Sequence, residues 1–328
     1  MRFLKVAFLL IGVSLLVAIV INTDLRGAIE LIAKMSWGIG IILGLFFVAF
    51  LGDVLAWQLT LRSSVGVVWF CRLWLVRMIG EAFNYTLPAG GMGGEPVKAV
   101  LLKRYFRIDY DAAIASLILI KTVNLIALIA FLSVGFGLMH LSAAVDPSLR
   151  SIAGIGLLIL VFAITAFFAV QRFGLISAFA TSLNKSKGWP WVENAAAKIS
   201  DVEIHFKDFY GRSGAKFLGS LFVAFAVWCI GVAEIYATLH LLGFPVSMSQ
   251  AWVIEAAAQL IRSGTFFIPA SIGAQEGIFV IMCGIFTGSP TSGLAAALVR
   301  RIREIVWVSA GFLLSTILPK IKKVSSSI

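Results

Sequence analysis

Residues 88–95 read Pro-Ala-Gly-Gly-Met-Gly-Gly-Glu, and residues 269–276 read Pro-Ala-Ser-Ile-Gly-Ala-Gln-Glu. Each segment begins with Pro-Ala, ends with a glutamate and interrupts a run of apolar residues. Inside a bilayer, such interruptions are tolerated only where the freed backbone groups are buried in protein or line a wet cavity. Matching interruptions in the two halves of a chain indicate the binding site of a secondary transporter.

The composition is that of a membrane protein. The 328 residues are 60% hydrophobic and 13% charged, whereas soluble domains have about 25% charged residues. A helical span needs about 20 apolar residues, and six of the eight apolar stretches meet this length without interruption. The eight stretches lie at about 3–21, 37–57, 73–102, 110–139, 151–170, 214–242, 251–287 and 291–318.

The distribution of basic residues orients the chain. With a cytoplasmic N-terminus, the six uninterrupted spans leave only three basic residues outside, which are Arg26, Lys34 and Arg150. This arrangement follows the positive-inside rule and places both termini in the cytoplasm. The rule also accounts for most of the net charge of +11, so we predict no nucleic-acid partner. The basic residues assigned to the cytoplasm are Arg2, Lys5, Arg62, Arg72, Lys103, Arg104, Arg107, Arg172, Lys185, Lys187, Lys198, Lys207, Arg212, Lys216, Lys320, Lys322 and Lys323.

The two interrupted stretches are predicted to be re-entrant hairpins that face each other. The stretch 73–102 opens towards the cytoplasm, although its short return arm holds Lys98, and the stretch 251–287 opens towards the opposite side. The predicted fold is therefore an all-α polytopic membrane protein with about six transmembrane helices and two opposed re-entrant helical hairpins. Residues 1–328 form a single transmembrane domain, and its inverted repeat has halves at about 37–139 and 214–318.

Two further segments have distinct roles in this topology. The N-terminal stretch lacks a small-residue cleavage site, which favours an uncleaved first span over a signal peptide. The linker 171–213 places apolar side chains at helical spacing after Trp189 and Trp191. That pattern predicts an amphipathic helix on the cytoplasmic face, and the segment is too short for a catalytic domain.

Charged residues within the apolar stretches are the candidates for function, because unpaired charges are costly in a bilayer. Glu95 and Glu276 each follow an interruption, and a cation lies downstream of each, Lys121 and Arg300. Either glutamate also fits a helix cap that complements the helix dipole. Arg300 and Glu304 are four residues apart and can pair.

The neighbours of this pair are assigned from the same helical spacing. Arg303 lies near the same face without a partner nearby in sequence, whereas Arg301 is predicted to point away. Asp53 and Glu234 are predicted to form structural ion pairs.

Motifs of soluble enzymes are absent from the sequence. The three histidines lack metal-ligand spacing, and the three cysteines form no C-x-x-C motif. There is no nucleophile elbow and no phosphate-binding loop. We therefore predict neither a metal nor a cofactor, and transport that is passive, ion-coupled or driven by a partner.

Residues 80–95 and 268–277 resemble the lysylphosphatidylglycerol synthase transmembrane region family, which is the flippase-like domain family. The run Ala-Leu-Val-Arg-Arg-Ile-Arg-Glu at 297–304 is most similar to its hopanoid-biosynthesis-associated branch. The resemblance implies a bacterial inner-membrane protein that translocates or handles lipids. The namesake synthases transfer aminoacyl groups with a separate cytosolic domain, so that activity is not expected here.

The sequence thus predicts a lipid flippase or transporter whose substrate headgroup enters between the hairpins. Two alternatives stay open: an intramembrane transferase with Glu95 or Glu276 as general base, and a scaffold for a lipid-synthesis complex. Besides the membrane lipid, the expected partners are lipid-biosynthesis proteins or further copies of this chain. If the protein is a flippase or transporter, arginines contact the headgroup, glutamates balance the charge of these arginines or take up protons, and small polar side chains form hydrogen bonds. The predicted site comprises Arg262, Arg300, Arg303, Glu81, Glu95, Glu276, Asn84, Thr86, Ser263 and Thr265, together with Pro88, Pro269, Lys121 and Glu304.

Overall fold

A computed structural model describes residues 2–61, 66–86, 93–173 and 214–325, and most of these residues are helical, with no strand among them. The first-half interruption at Pro88 and most of the predicted linker helix lie outside these ranges. The helices are α1 (Arg2–Asn22), α2 (Leu25–Met35), α3 (Gly38–Thr60), α4 (Val67–Thr86), α5 (Glu95–Phe106), α6 (Tyr110–Leu141), α7 (Pro147–Phe173), α8 (Gly214–Leu241), α9 (Met248–Gly264), α10 (Ala274–Thr287) and α11 (Pro290–Ser325), with a 3-10 turn at Pro269–Ser271.

Five helical segments of the described chain are long and apolar enough to cross a membrane, at Gly38–Thr60, Tyr110–Leu141, Pro147–Val170, Gly214–Leu241 and Pro269–Thr287. A sixth span results if α1 and α2 count as one, although their axes differ by 86°. This confirms an all-α polytopic membrane protein with about six spans. Helix α11 is 36 residues long, and its charged residues between 300 and 304 interrupt its apolar character.

Helix α2 at Leu25–Met35 was not predicted from the sequence. The bend arises at Asn22-Thr23-Asp24, where the Asp24 carboxylate accepts a hydrogen bond of 2.9 Å from the Gly27 N–H and starts α2. An aspartate that caps a helix in this way is a recognisable start signal. Helix α1 then packs against the second interruption, because a Cβ on Gly273 would lie 2.5 Å from the Gly12 carbonyl oxygen.

The order of elements repeats along the chain. A long helix, a helical hairpin and a second long helix occur first as α3, α4–α5 and α6, and then as α8, α9–α10 and α11. The contacts between elements follow the same order, since α4 packs on α11 while α9 packs on α6, and α3 packs on α8. The inverted membrane orientation of the two halves, and the re-entrant character of the hairpins, stay predictions.

Two apolar cores accompany these halves. One surrounds Trp57, Leu73 and Leu102 and joins α3, α4, α5 and α6. The other surrounds Phe131, Ile254 and Phe279, and it joins α6, α8, α9, α10 and α11. Because both cores consist of close-packed side chains, the hairpins are held firmly against the long helices.

The first hairpin depends on a close approach of its two arms at Gly94. A Cβ on Gly94 would lie 1.9 Å from the Gly80 carbonyl oxygen, and the Gly94 N–H donates to Asn84 Oδ1 at 2.7 Å. We therefore expect Gly94→Ala to lower the free energy of unfolding by about 1–3 kcal/mol, because the added methyl group forces α4 and α5 apart. Unfolding in mixed micelles by SDS titration measures this loss.

The matched control is Gly44→Ala, where no atom lies within 4 Å of the added Cβ. That substitution is expected to stabilise α3 by about 0.5–1 kcal/mol, since alanine is the better helix former. Equal stability of the two variants would show that the arms of the first hairpin do not approach each other at Gly94.

Candidate functional site

The second interruption adopts a backbone conformation that side chains rarely tolerate. Ala270 and Ser271 both have positive φ angles, 50° and 48°. The Thr265 and Ser271 hydroxyl oxygens lie 3.1 Å apart, and an Arg301 N–H donates to the Ala270 carbonyl oxygen at 3.0 Å. Pro269, which starts the 3-10 turn, therefore opens a strained segment whose polar groups have protein partners.

Glu276 acts both as a helix cap and as an ion-pair partner. One carboxylate oxygen accepts from the Gly273 N–H at 2.7 Å, and the other accepts from Arg301 Nε at 2.6 Å. The side chain is 3% exposed. The sequence left two roles open for Glu276, a helix cap and a member of a polar functional site. The two roles are compatible, because the same side chain forms the cap and the ion pair.

Two predicted orientations on α11 are wrong. Arg301 does not point away, because its guanidinium bridges Glu276 and Glu304, the latter at 2.7 Å. Arg300 does not pair with Glu304, because it pairs with Glu255 on α9. The physical reason is that α11 packs against α10, α4, α2 and α8 on different sides, so neighbouring positions on this helix all face protein.

Arg303 also has a partner that sequence proximity did not suggest. It forms a buried ion pair with Glu234 on α8, which is 69 residues away, and its guanidinium lies 4.1 Å from the centre of the Phe46 ring. Arg300 lies likewise over the Phe279 ring, at 4.9 Å. Both guanidinium groups are therefore compensated by a carboxylate and an aromatic face. Their predicted contact with a substrate stays a prediction.

The first half contains a corresponding polar chain. Glu95 contacts Lys98 at 3.0 Å and Lys121 at 3.5 Å, and Lys98 also contacts Glu81 at 2.9 Å. Arg77 continues the chain from Glu81 to Asp53 and contacts the Asp53 carboxylate at 2.6 Å. The sequence analysis did not assign a role to Arg77, although its position four residues before Glu81 on one helix is a spacing that indicates pairing.

The two halves place the same chemistry at the start of the return arm. In each half, the glutamate that follows the interruption forms an ion pair with a basic residue of the next long helix. These pairs are Glu95 with Lys121 and Glu276 with Arg301. The downstream cation of the second half is thus Arg301, where the sequence analysis chose Arg300.

Arg262 connects the two halves. Its guanidinium donates to the Tyr85 hydroxyl at 3.2 Å and lies 5.5 Å from the centre of that ring, on the last turn of α4. It also lies 3.9 Å from Glu304, and it interacts electrostatically with Glu81. Since α4 also contacts the 3-10 turn at Pro269–Ser271, the described part of the first hairpin meets the second interruption at this point.

Charge in the described network is balanced. In the second half Glu234, Glu255, Glu276 and Glu304 face four arginines, Arg262, Arg300, Arg301 and Arg303. Each of these arginines has a carboxylate partner within the described residues, so the lack of a nearby partner in sequence did not leave Arg303 unpaired in space. The cations with the greatest side-chain exposure in the two chains of ion pairs are Lys121 at 37% and Arg262 at 34%.

The small polar residues at the predicted site mostly bind their own helices. The hydroxyls of Thr86, Ser263 and Thr265 donate to carbonyl oxygens four residues earlier, at Ala82, Gln259 and Ile261. Asn84 accepts the Gly94 N–H, while its amide nitrogen is buried without a hydrogen-bond partner among the residues that the structure describes. Their hydrogen bonds to a headgroup stay predictions, as does the polar chamber between the hairpins.

Among the described residues no group of three His, Cys, Asp or Glu side chains is arranged to hold a metal ion. In the same residue ranges, a cavity of about 340 Å³ opens at the ends of α3, α4 and α8, away from the ion pairs. A crevice of about 20 Å³ lies between α6, α7 and α9. The functional candidates are therefore the ion pairs around the interruptions and the separate cavity.

Comparison with known proteins agrees with this architecture. A UPF0104 membrane protein of Methanothermobacter thermautotrophicus is 22% identical over 266 residues, which cover 78% of each chain. No solved structure matches. The sequence model described as the lysylphosphatidylglycerol synthase TM region matches residues 3–311, which include both interruptions and every charged residue of the site. The chain therefore belongs to the lysylphosphatidylglycerol synthase TM region family.

Proposed function

We propose that the protein is a flippase-like lipid transporter of the bacterial inner membrane, with both termini in the cytoplasm. Its substrate is a lipid with a polar headgroup, such as a hopanoid, which passes the junction of the two hairpins while its apolar part stays in the bilayer. The single observation that carries this proposal is Arg262, a partly exposed cation held between Tyr85 of one hairpin and Glu304 behind the other.

The surroundings of Arg262 suit transient contact with a headgroup. Arg262 contacts the phenol of Tyr85 and the carboxylate of Glu304. Because Arg301 also binds Glu304, this carboxylate keeps a counter-ion when Arg262 moves. A headgroup with phosphate or hydroxyl oxygens offers the guanidinium equivalent acceptors. By contrast, Arg300 and Arg303 are buried in their ion pairs, and they support the geometry of the junction.

We expect Arg262→Gln to lower lipid translocation about ten- to a hundred-fold, because one charge-assisted hydrogen bond contributes roughly 1.5–3 kcal/mol. The measurement is dithionite quenching of fluorescent phosphatidylglycerol in sealed vesicles that contain the full chain. Arg26→Gln is the matched control, since Arg26 forms an exposed pair with Glu30 on α2. Equal rates in wild type and Arg262→Gln would show that Arg262 is not a headgroup contact.

A scaffold without transport is the second candidate, and the charge balance of the network supports it. A scaffold needs no exposed cation at the junction, and it predicts no translocation by the wild type in the same vesicles. An intramembrane transferase is separated from both by lipid mass spectrometry of a deletion strain. Loss of a modified lipid favours the transferase, whereas an intact but mislocated lipid favours transport.

A further inference from the structure

The cavity at the ends of α3, α4 and α8 lies apart from the ion pairs of the junction. Its volume is about 340 Å³, and apolar side chains form most of its described lining, including Leu55, Leu59, Val67 and Phe70. Lys216 is the charged residue among the described lining residues. Gln58 also lines the cavity, and its amide donates to the Gly66 carbonyl oxygen at 3.0 Å. A concave, mostly apolar surface with one charged group at its edge has the composition of a site for an amphiphile.

Positive charge accumulates at the end of this cavity where Lys216 lies. Lys216 belongs to the first turn of α8, and Val67 is the first residue of α4, so two helix N-termini lie at the cavity. Helix N-termini favour negative groups. None of the ion pairs formed within the described ranges involves Lys216, which leaves its ammonium group available to an acidic ligand.

The predicted topology places Lys216 on the cytoplasmic side. The cytoplasmic leaflet carries anionic lipids that attract basic residues near the membrane surface. The two parts of the cavity, an apolar wall and a basic rim, therefore match the acyl chain and the phosphate of a lipid in that leaflet.

We propose that this cavity binds an anionic phospholipid, with one acyl chain against Leu59 and Phe70 and the headgroup phosphate at Lys216. The site is distinct from the junction at Arg262, because the two share no residue. It thus holds a lipid whether or not the junction translocates one.

The test is native mass spectrometry of the full chain in detergent, with equimolar phosphatidylglycerol and phosphatidylcholine. Protein with Lys216 intact is expected to retain phosphatidylglycerol about five-fold better, the ratio given by one lysine near an anionic headgroup. Lys216→Gln is expected to abolish this preference but still bind both lipids. Leu59→Trp fills the apolar wall and is expected to lower retention of both.

The control for lost charge is Lys34→Gln on α2, which should keep the five-fold preference. Because Arg262 is itself proposed to contact a headgroup, all of these comparisons, including the reference with Lys216 intact, are made in the Arg262→Gln background, and a failed transport proposal leaves the result unchanged. Equal retention of the two lipids by that reference would overturn the proposal. A preference that persists in Lys216→Gln would overturn it as well, and this variant decides the question if Leu59→Trp does not fold.

Discussion

The Glu276→Ala protein is expected to have a free energy of unfolding about 3–5 kcal/mol below that of wild type. Removal of the carboxylate leaves the Gly273 N–H without its acceptor and Arg301 with one carboxylate fewer. It also frees the guanidinium that holds the Ala270 carbonyl in the strained turn. Because the lost side chain is nearly fully buried, water does not replace these contacts at low cost.

SDS titration in mixed micelles measures this loss, with Glu30→Ala as control. Glu30 forms an exposed pair with Arg26 on α2, so its removal should change stability by at most about 0.5 kcal/mol. If Glu276→Ala and Glu30→Ala were equally stable, the carboxylate would not hold the second interruption. Glu276→Gln keeps a side-chain oxygen that can accept from the Gly273 N–H but removes the negative charge. Its stability therefore separates the contribution of the helix cap from that of the ion pair with Arg301.

Arg303→Met is expected to cost about 3–5 kcal/mol, because it leaves Glu234 as a buried carboxylate without its cation. The double variant Arg303→Met with Glu234→Leu should recover most of this loss. A methionine at 303 keeps a favourable contact with the Phe46 ring, and an apolar pair replaces a buried ion pair at little or no net cost. The same unfolding assay gives the coupling energy of the pair from the double-mutant cycle.

The double variant also distinguishes a structural arginine from a substrate contact. If Arg303 only supports the junction, the double variant should translocate lipid at nearly the wild-type rate. If it binds the headgroup, stability recovers while translocation does not. A double variant as unstable as Arg303→Met would contradict the assignment of Glu234 as the partner.

Much of the architecture is readable from the sequence because hydrophobic length is a strong signal. The long helices α3, α6, α7 and α8 coincide with predicted spans. The second interruption at Pro269 also falls at the predicted place, since proline breaks a helix interior and the nearby glycine weakens it. Helix α2 was missed because it is short and amphipathic, and its main signal is the cap at Asp24.

The partners of the charged residues were less predictable, since they depend on packing between distant helices. Helical spacing proposed that Arg300 pairs with Glu304, but the nearest carboxylate in space is Glu255, 45 residues away. The same helical spacing predicted that Arg301 points away from this face. That prediction assumes that only one side of α11 faces protein. By contrast, the position of Glu276 at the interruption could be read from the sequence, since a local feature defines its place, while its contact with a substrate stays a prediction.

The central claim is that two helical hairpins enter from opposite faces of the membrane and meet at Tyr85 and Arg262. Labelling with a membrane-impermeant maleimide in sealed vesicles tests it directly, after Cys71, Cys229 and Cys283 are replaced by alanine. Arg104→Cys, at the base of the first hairpin, should react from the cytoplasmic face, and Ser249→Cys, at the base of the second, should react only from the opposite face. Reaction of both positions from the same face would contradict the inverted arrangement and the junction built on it.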